Sequence, residues 1–116
     1  MITTTRTTRT FSLELYRHNG SVLRARDDRP FPVSGLAELV SDGDEAYELL
    51  VRYRLHVTYE SPDNWYPGGT YVDIDLDRAW LVVGVRGEER SVELPKQVQD
   101  EVFEVLLDEI SSEVEV

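Results

Sequence analysis

Leu49-Leu50-Val51-Arg52-Tyr53-Arg54-Leu55-His56-Val57-Thr58-Tyr59-Glu60 decides the fold class. Val51, Tyr53, Leu55, Val57 and Tyr59 fall on one side of an extended chain, and Arg52, Arg54, His56, Thr58 and Glu60 on the other. Successive side chains of a strand point to opposite faces, so this period of two predicts a long strand in an antiparallel sheet that is covered on one side. Downstream, Ser61 to Thr70 holds Pro62, Asn64, Pro67, Gly68 and Gly69, the composition of a loop. Val72, Ile74 and Leu76 then alternate with Tyr71, Asp73 and Asp75. Trp80 to Val85 is a further β-rich run, and a turn at Arg86-Gly87-Glu88-Glu89 leads to a short return strand at Ser91 to Leu94. Pro95 suits the first position of a helix, where its missing N–H has no intrahelical partner to lose. Val98, Val102, Phe103, Leu106, Leu107, Ile110 and Val114 follow at helical spacing and predict an amphipathic helix over about 95–113. Such a helix has to lay its apolar stripe on the sheet. The expected fold is α+β: an antiparallel sheet of about five strands packed against a C-terminal amphipathic helix. A short helix is expected near 34–41, capped by Ser34 and interrupted by Asp42-Gly43-Asp44.

Upstream, Phe11, Leu13 and Leu15 alternate with Ser12, Glu14 and Tyr16, predicting a strand at about 9–17. The Thr-rich stretch before it has no apolar periodicity, so residues 1–8 are expected to form a loose N-terminal arm on a single domain spanning 1–116. Asn19-Gly20 marks a hairpin; with Ser21 it also spells a glycosylation acceptor, but a turn is the better reading. A two-residue loop sets Leu15 against Arg24 and Leu13 against Arg26, mixing apolar and charged residues on one face. A three-residue loop, His18-Asn19-Gly20 with Gly20 at positive φ, pairs Leu15 with Leu23, Leu13 with Ala25 and Glu14 with Arg24. The pattern favours that register, with a second strand at about 21–26.

The chain of 116 residues carries a formal charge of −11 and no cysteine. Disulfides, thiolate zinc sites and thiol nucleophiles are thereby excluded. The longest apolar run, Ala79 to Val83, is far short of a membrane span, and Met1-Ile-Thr-Thr-Thr-Arg lacks the apolar core of a secretory signal, so a cytoplasmic protein is expected. Residues 1–30 hold six arginines against Glu14, Asp27 and Asp28, a balance of +3, which leaves −14 on the remainder. Such a field disfavours direct contact with nucleic acid or anionic membranes and favours basic partners, although acidity also serves solubility alone.

Candidate chemistry is sparse. Asp73, Asp75 and Asp77 alternate along one segment, but a calcium loop needs Gly in the sixth place and Glu in the twelfth, where Arg78 and Gly84 stand. No metal site and no cofactor are expected. His18 reads as a hairpin residue; His56, beside Arg52 and Arg54, fits either a basic patch or ordinary strand polarity. No nucleophile elbow, P-loop or dinucleotide fingerprint is present, so no catalytic residue is assigned. Trp65 and Tyr66, in a Gly/Pro-rich loop, either fold back to cap the core or stand out as interface anchors. Glu101, Glu104 and Asp108 fall on one helix stripe and can steer a basic partner. These five residues form the expected partner-binding set.

The strand Val51 to Glu60, the loop Tyr66-Pro67-Gly68, the acidic strand Val72-Asp-Ile-Asp-Leu76 and the closing helix Gln97 to Ile110 together resemble small acidic accessory proteins of bacteriophages and prophages. The likeness covers about residues 50–110. It implies a mobile-element protein, a class that includes inhibitors of host enzymes of the anti-CRISPR and anti-restriction type. The function expected is therefore a non-enzymatic binding protein that occupies a host protein surface, such as the basic groove of a nucleic-acid-binding protein. The alternative is a structural or virion-accessory protein whose acidity serves solubility.

Overall fold

The computed structural model describes residues 1–40, 46–84 and 87–114. Strands β1 (Ile2–His18), β2 (Ser21–Arg24), β3 (Ala46–Glu60), β4 (Gly69–Val83) and β5 (Arg90–Glu93) form one antiparallel sheet in the order β2-β1-β3-β4-β5. Helix α1 (Lys96–Val114) and a 3-10 helix at Ser34–Leu39 complete the α+β fold that the periodicities predict. No described helix is long and apolar enough to cross a membrane.

β3 is the axis of the sheet. It pairs with β1 from Tyr16↔Ala46 to Ile2↔Glu60 and with β4 from Tyr47↔Val83 to Glu60↔Gly69. Its odd residues face α1, and Leu49, Val51 and Tyr53 are buried against Val102, Leu106 and Ile110 of the helix. The Pro95 carbonyl accepts the Gln99 N–H at 2.9 Å, so Pro95 stands just before the helix proper and closes its first turn. From there α1 crosses the sheet: Gln99 Oε1 accepts the Ala79 N–H of β4 at 3.1 Å, and Glu109 reaches Arg24 of β2.

The two β-rich runs 71–76 and 80–85 belong to one strand as far as Val83, with Val85 outside the described residues. A bulge joins them. Arg52 faces Arg78 while Tyr53 faces Leu76, so Asp77 is the extra residue. One added residue inverts the parity of a strand. It places Leu76 and Ile74 on the same side as Ala79, Leu81 and Val83, although the two sets are out of phase in sequence. The like charges that face each other beside the bulge are each answered: Asp77 Oδ2 accepts from Arg52 Nε at 2.7 Å, while Arg78 pairs with Glu93 at 3.0 Å.

Three expectations are overturned. Residues 3–8 are not a loose arm but the first half of β1, paired rung by rung with β3; threonine is a good strand former, and the long β3 offers a ready template. The hairpin has the two-residue loop: Leu15 lies opposite Arg24 and His18 opposite Ser21, with Asn19 at φ 52° and Gly20 at φ 82°. Both central residues at positive φ make the turn whose twist matches a hairpin. The mixed face is tolerated because its arginines run their stems along the core and satisfy their heads at its rim. Arg24 binds Glu109 through two bonds of 2.7 and 2.8 Å, and Arg17 donates to the Val40 carbonyl at 3.3 Å beyond the 3-10 helix. Ser34, finally, is the first residue of the 3-10 helix rather than its cap; Val33 precedes it with no side-chain cap bond. The interruption expected at Asp42-Gly43-Asp44 lies outside the described residues.

Among the described residues, one core side-chain polar atom stands without a partner: the Tyr47 hydroxyl is buried and makes no hydrogen bond. Burial pushes its pKa from 10.0 up to about 12, against the opposing pull of Arg17. A raised phenol pKa means that the folded state keeps a proton which the unfolded chain has shed, so this contribution to stability is intact below pH 10 and declines through the window up to about 12. Tyr47→Phe removes an unpaired buried hydroxyl and should leave stability at pH 7 unchanged or raise it by about 1 kcal/mol. It should also make the alkaline loss of stability shallower than in the wild type. Urea denaturation between pH 7 and 11 checks both.

Candidate functional site

The sheet outruns its cover. Burial ends near Leu55: on the face that α1 covers elsewhere, Val57 is half-buried and Tyr59 and Val72 are exposed. Residues 2–9, 53–60 and 69–76 therefore project as a three-stranded ribbon, and the molecule measures 63 × 27 × 25 Å. Both edges of this ribbon are open among the described residues, because β2 pairs only with Leu15–His18 and β5 only with Trp80–Val83.

Among the described residues, seven of the eight exposed large apolar side chains sit on the ribbon and its tip: Met1, Ile2, Tyr59, Trp65, Tyr66, Tyr71 and Val72, with Leu107 elsewhere. Protein surfaces usually scatter such residues singly, so their concentration at one end makes this the candidate site. Trp65 stands at the tip and is 95% exposed, which settles its two readings in favour of projection over capping.

The tip is built rather than slack. Asp63 Oδ1 accepts the backbone N–H groups of Trp65 at 2.8 Å and Tyr66 at 2.7 Å, and the Asp63 N–H donates to the Tyr66 carbonyl at 2.8 Å. Asp side chains stabilise turns in this way. Gly68, at φ 76°, closes the loop where a Cβ would lie 2.5 Å from the Glu60 carbonyl oxygen, so no other residue fits there without moving the backbone. The Tyr66 hydroxyl bonds to that of Tyr71, and bonds to Tyr71 and then Glu60 hold its pKa above the usual phenol range. A solvent-exposed tryptophan is thus presented on a loop that keeps its shape.

The expected partner-binding residues do not form one surface. Glu101, Glu104 and Asp108 are exposed on the outer side of α1, but α1 crosses the sheet near the rung of Phe11, Val51 and Ala79. The ends of the ribbon strands lie nine residues farther along β1 and β3, about 30 Å at strand rise, with the tip beyond them. Trp65 and Tyr66 go together; the three helix acids form a separate patch.

Several other charged groups of β3 and β4 are engaged as ordinary strand neighbours. On the face away from α1, His56 contacts Asp75 at 3.1 Å, Arg52 holds Asp77, and the Arg78 guanidinium lies 5.2 Å from the centre of the Trp80 ring. Asp77 sits on the bulge, out of step with Asp73 and Asp75, and no group of three acids or histidines converges among the described residues. A groove of about 350 Å³ beside β2 is lined by Phe11, Leu13, Arg24 and Arg26 and holds no histidine. Neither the ribbon nor the Glu109–Arg24 pair was visible from periodicity; the one sequence signal for the ribbon was the length of the alternating run to Glu60.

Charge follows the same division. In the ribbon and the strand segments leading to it, residues 1–13 and 53–78, Arg6, Arg9, Arg54 and Arg78 nearly balance Glu60, Asp63, Asp73, Asp75 and Asp77, leaving −1 of the total −11; the other −10 belongs to the body. Compared with protein-family models, curated proteins and solved structures, the chain finds no match.

Exposure of Trp65 makes a specific demand on stability. Deleting a buried tryptophan costs about 3–5 kcal/mol, whereas Trp65→Ala should change the thermal midpoint by less than about 3 °C, the scale of a surface substitution. Differential scanning calorimetry decides between the two.

Proposed function

We propose that this chain is a non-enzymatic binding protein that engages a partner protein through the tip of its ribbon, with Trp65 and Tyr66 as anchors. The observation that carries this reading is the gathering of exposed aromatic and aliphatic residues on a preorganised projection whose charges nearly balance. Aromatic anchors lose little conformational freedom on contact, and a loop already fixed by Asp63 and Gly68 adds little more, so most of the contact energy survives as affinity. The acidic body contributes at longer range: Glu101, Glu104 and Asp108 steer a basic partner toward the molecule without lying in the contact. An inhibitor from a phage or other mobile element, of the anti-CRISPR or anti-restriction type, works by occupying a host protein surface in this manner, and the resemblance of residues 50–110 to phage accessory proteins favours that setting. A second reading, as a structural or virion-accessory component, is favoured by the two open edges of the ribbon.

Association kinetics separate the parts. With a partner recovered from lysate of the cell in which the chain acts, Trp65→Ala combined with Tyr66→Ala should raise the dissociation rate by about a hundredfold, the loss expected for a hot-spot pair. Glu101→Lys, Glu104→Lys and Asp108→Lys together should slow association and flatten its salt dependence, leaving dissociation nearly unchanged. Binding that survives loss of both aromatics but fails with the helix reversals would move the contact to α1 and refute the tip as the site.

A further inference from the structure

The ribbon has two unlike faces. In residues 2–8, 54–60 and 69–75, the charged side chains Arg6, Arg54, Glu60, Asp73 and Asp75, with His56, all lie on the face away from α1. The face that continues the core presents threonine, leucine, isoleucine, valine and tyrosine and no charged group. A sheet face left to solvent ordinarily carries charge, whereas an inner face packed on another layer has the second composition. Within the chain α1 supplies that layer over the body alone: Leu55 is 6% exposed, but Tyr59 is 49% and Val72 48%. The cover that the ribbon lacks is thus one layer thick and is bounded at one end by a helix.

We propose that a second copy of this chain supplies it: two ribbons stack face to face through their uncharged sides, with tips pointing in opposite directions, as a closed twofold dimer. The layers match in height. A helix with its side chains is about 10–12 Å across and stacked sheets lie about 10 Å apart, so a second ribbon fits beside α1 on the same side of the sheet. Tips at the same end are excluded, because each α1 fills the layer that the other copy's sheet would need there. With tips opposed, the five-stranded bodies lie at opposite ends, and each tip stops against the other copy's α1. The twofold axis then crosses the ribbon near the rungs of Tyr59 and Val57, which puts these residues and Val72 at the centre of the contact. Charge selects the occupant. A basic partner drawn by the acidic body finds no acid on this face, whereas two chains of charge −11 can meet there without apposing like charges. Three strands about 4.8 Å apart and eight residues at about 3.3 Å each make a face of roughly 14 by 26 Å. Two such faces and the tip contacts approach the roughly 1,000 Å² that a specific interface needs, which places this dimer at the weak end of that class.

This self-association needs no other protein, so its test is independent of the partner reading. Sedimentation velocity of the full chain from micromolar to about millimolar concentration should show monomer and dimer and nothing larger. The dimer fraction should rise with added salt, which screens the like-charged bodies and breaks no ion pair in the contact. Tyr59→Lys sets a charge at the centre of the contact and should weaken the dimer at least about tenfold. Thr58→Lys, its neighbour on the same central strand but on the outer face, should leave the dimer unchanged. Circular dichroism should show the fold retained in both. Because the chain has no cysteine, a spin label on Asn64→Cys marks the tip alone. Electron–electron distance measurement on the labelled dimer should then give one intermolecular separation of roughly 30–40 Å, the length of the overlap. A wild-type chain that stays monomeric throughout, grows past a dimer or dissociates as salt is added overturns the proposal. So does a Tyr59→Lys chain that dimerises as the wild type does, a Thr58→Lys chain that is weakened as much, or a pair of tip labels side by side.

Discussion

One helix cannot cover this sheet. The 19 residues of α1 extend about 28 Å at helical rise, whereas the 15 residues of β3 extend about 50 Å at strand rise, and α1 lies across the strands instead of along them. The apolar face of β3 is accordingly buried as far as Leu55 and then runs out into solvent at Val57 and Tyr59. Core, ribbon, open edges and exposed tip all follow from that mismatch between one long central strand and one transverse cover.

Keeping the long strands in register takes a second device. Without the extra residue at Asp77, the apolar residues on the two halves of β4 would point to opposite faces, and either Leu81 and Val83 or Ile74 and Leu76 would leave the helix side. The bulge reconciles a core near α1 with a ribbon beyond it, and the pairings of Arg52 with Asp77 and Arg78 with Glu93 settle the charges gathered there. The ribbon is then a continuation of the same ladders that build the core.

Much of this was legible in residues and some was not, for physical reasons. The unbroken alternation of residues 50–60 announced β3, and the spacing of Val102, Leu106 and Ile110 announced α1, because a periodic stripe directly records the face that will be buried. The threonines of β1 record nothing of the kind; their strand exists because β3 templates it over a long sequence separation. Hairpin register failed as a prediction because arginine was counted as polar. Arg24 is in fact a core-face residue whose charge is answered by Glu109, 85 positions away. The candidate site divided in the same manner: exposure of the helix acids and their common stripe were readable, but their distance from Trp65 depends on how α1 crosses the sheet, which no local pattern contains.

If the molecule works through its ribbon, the most direct measurement is backbone amide hydrogen exchange along the whole chain, compared between free and partner-bound states. The account predicts added protection at 61–68 on partner binding, with α1 unchanged. Protection that appears along 96–114 while the ribbon exchanges as before would contradict it.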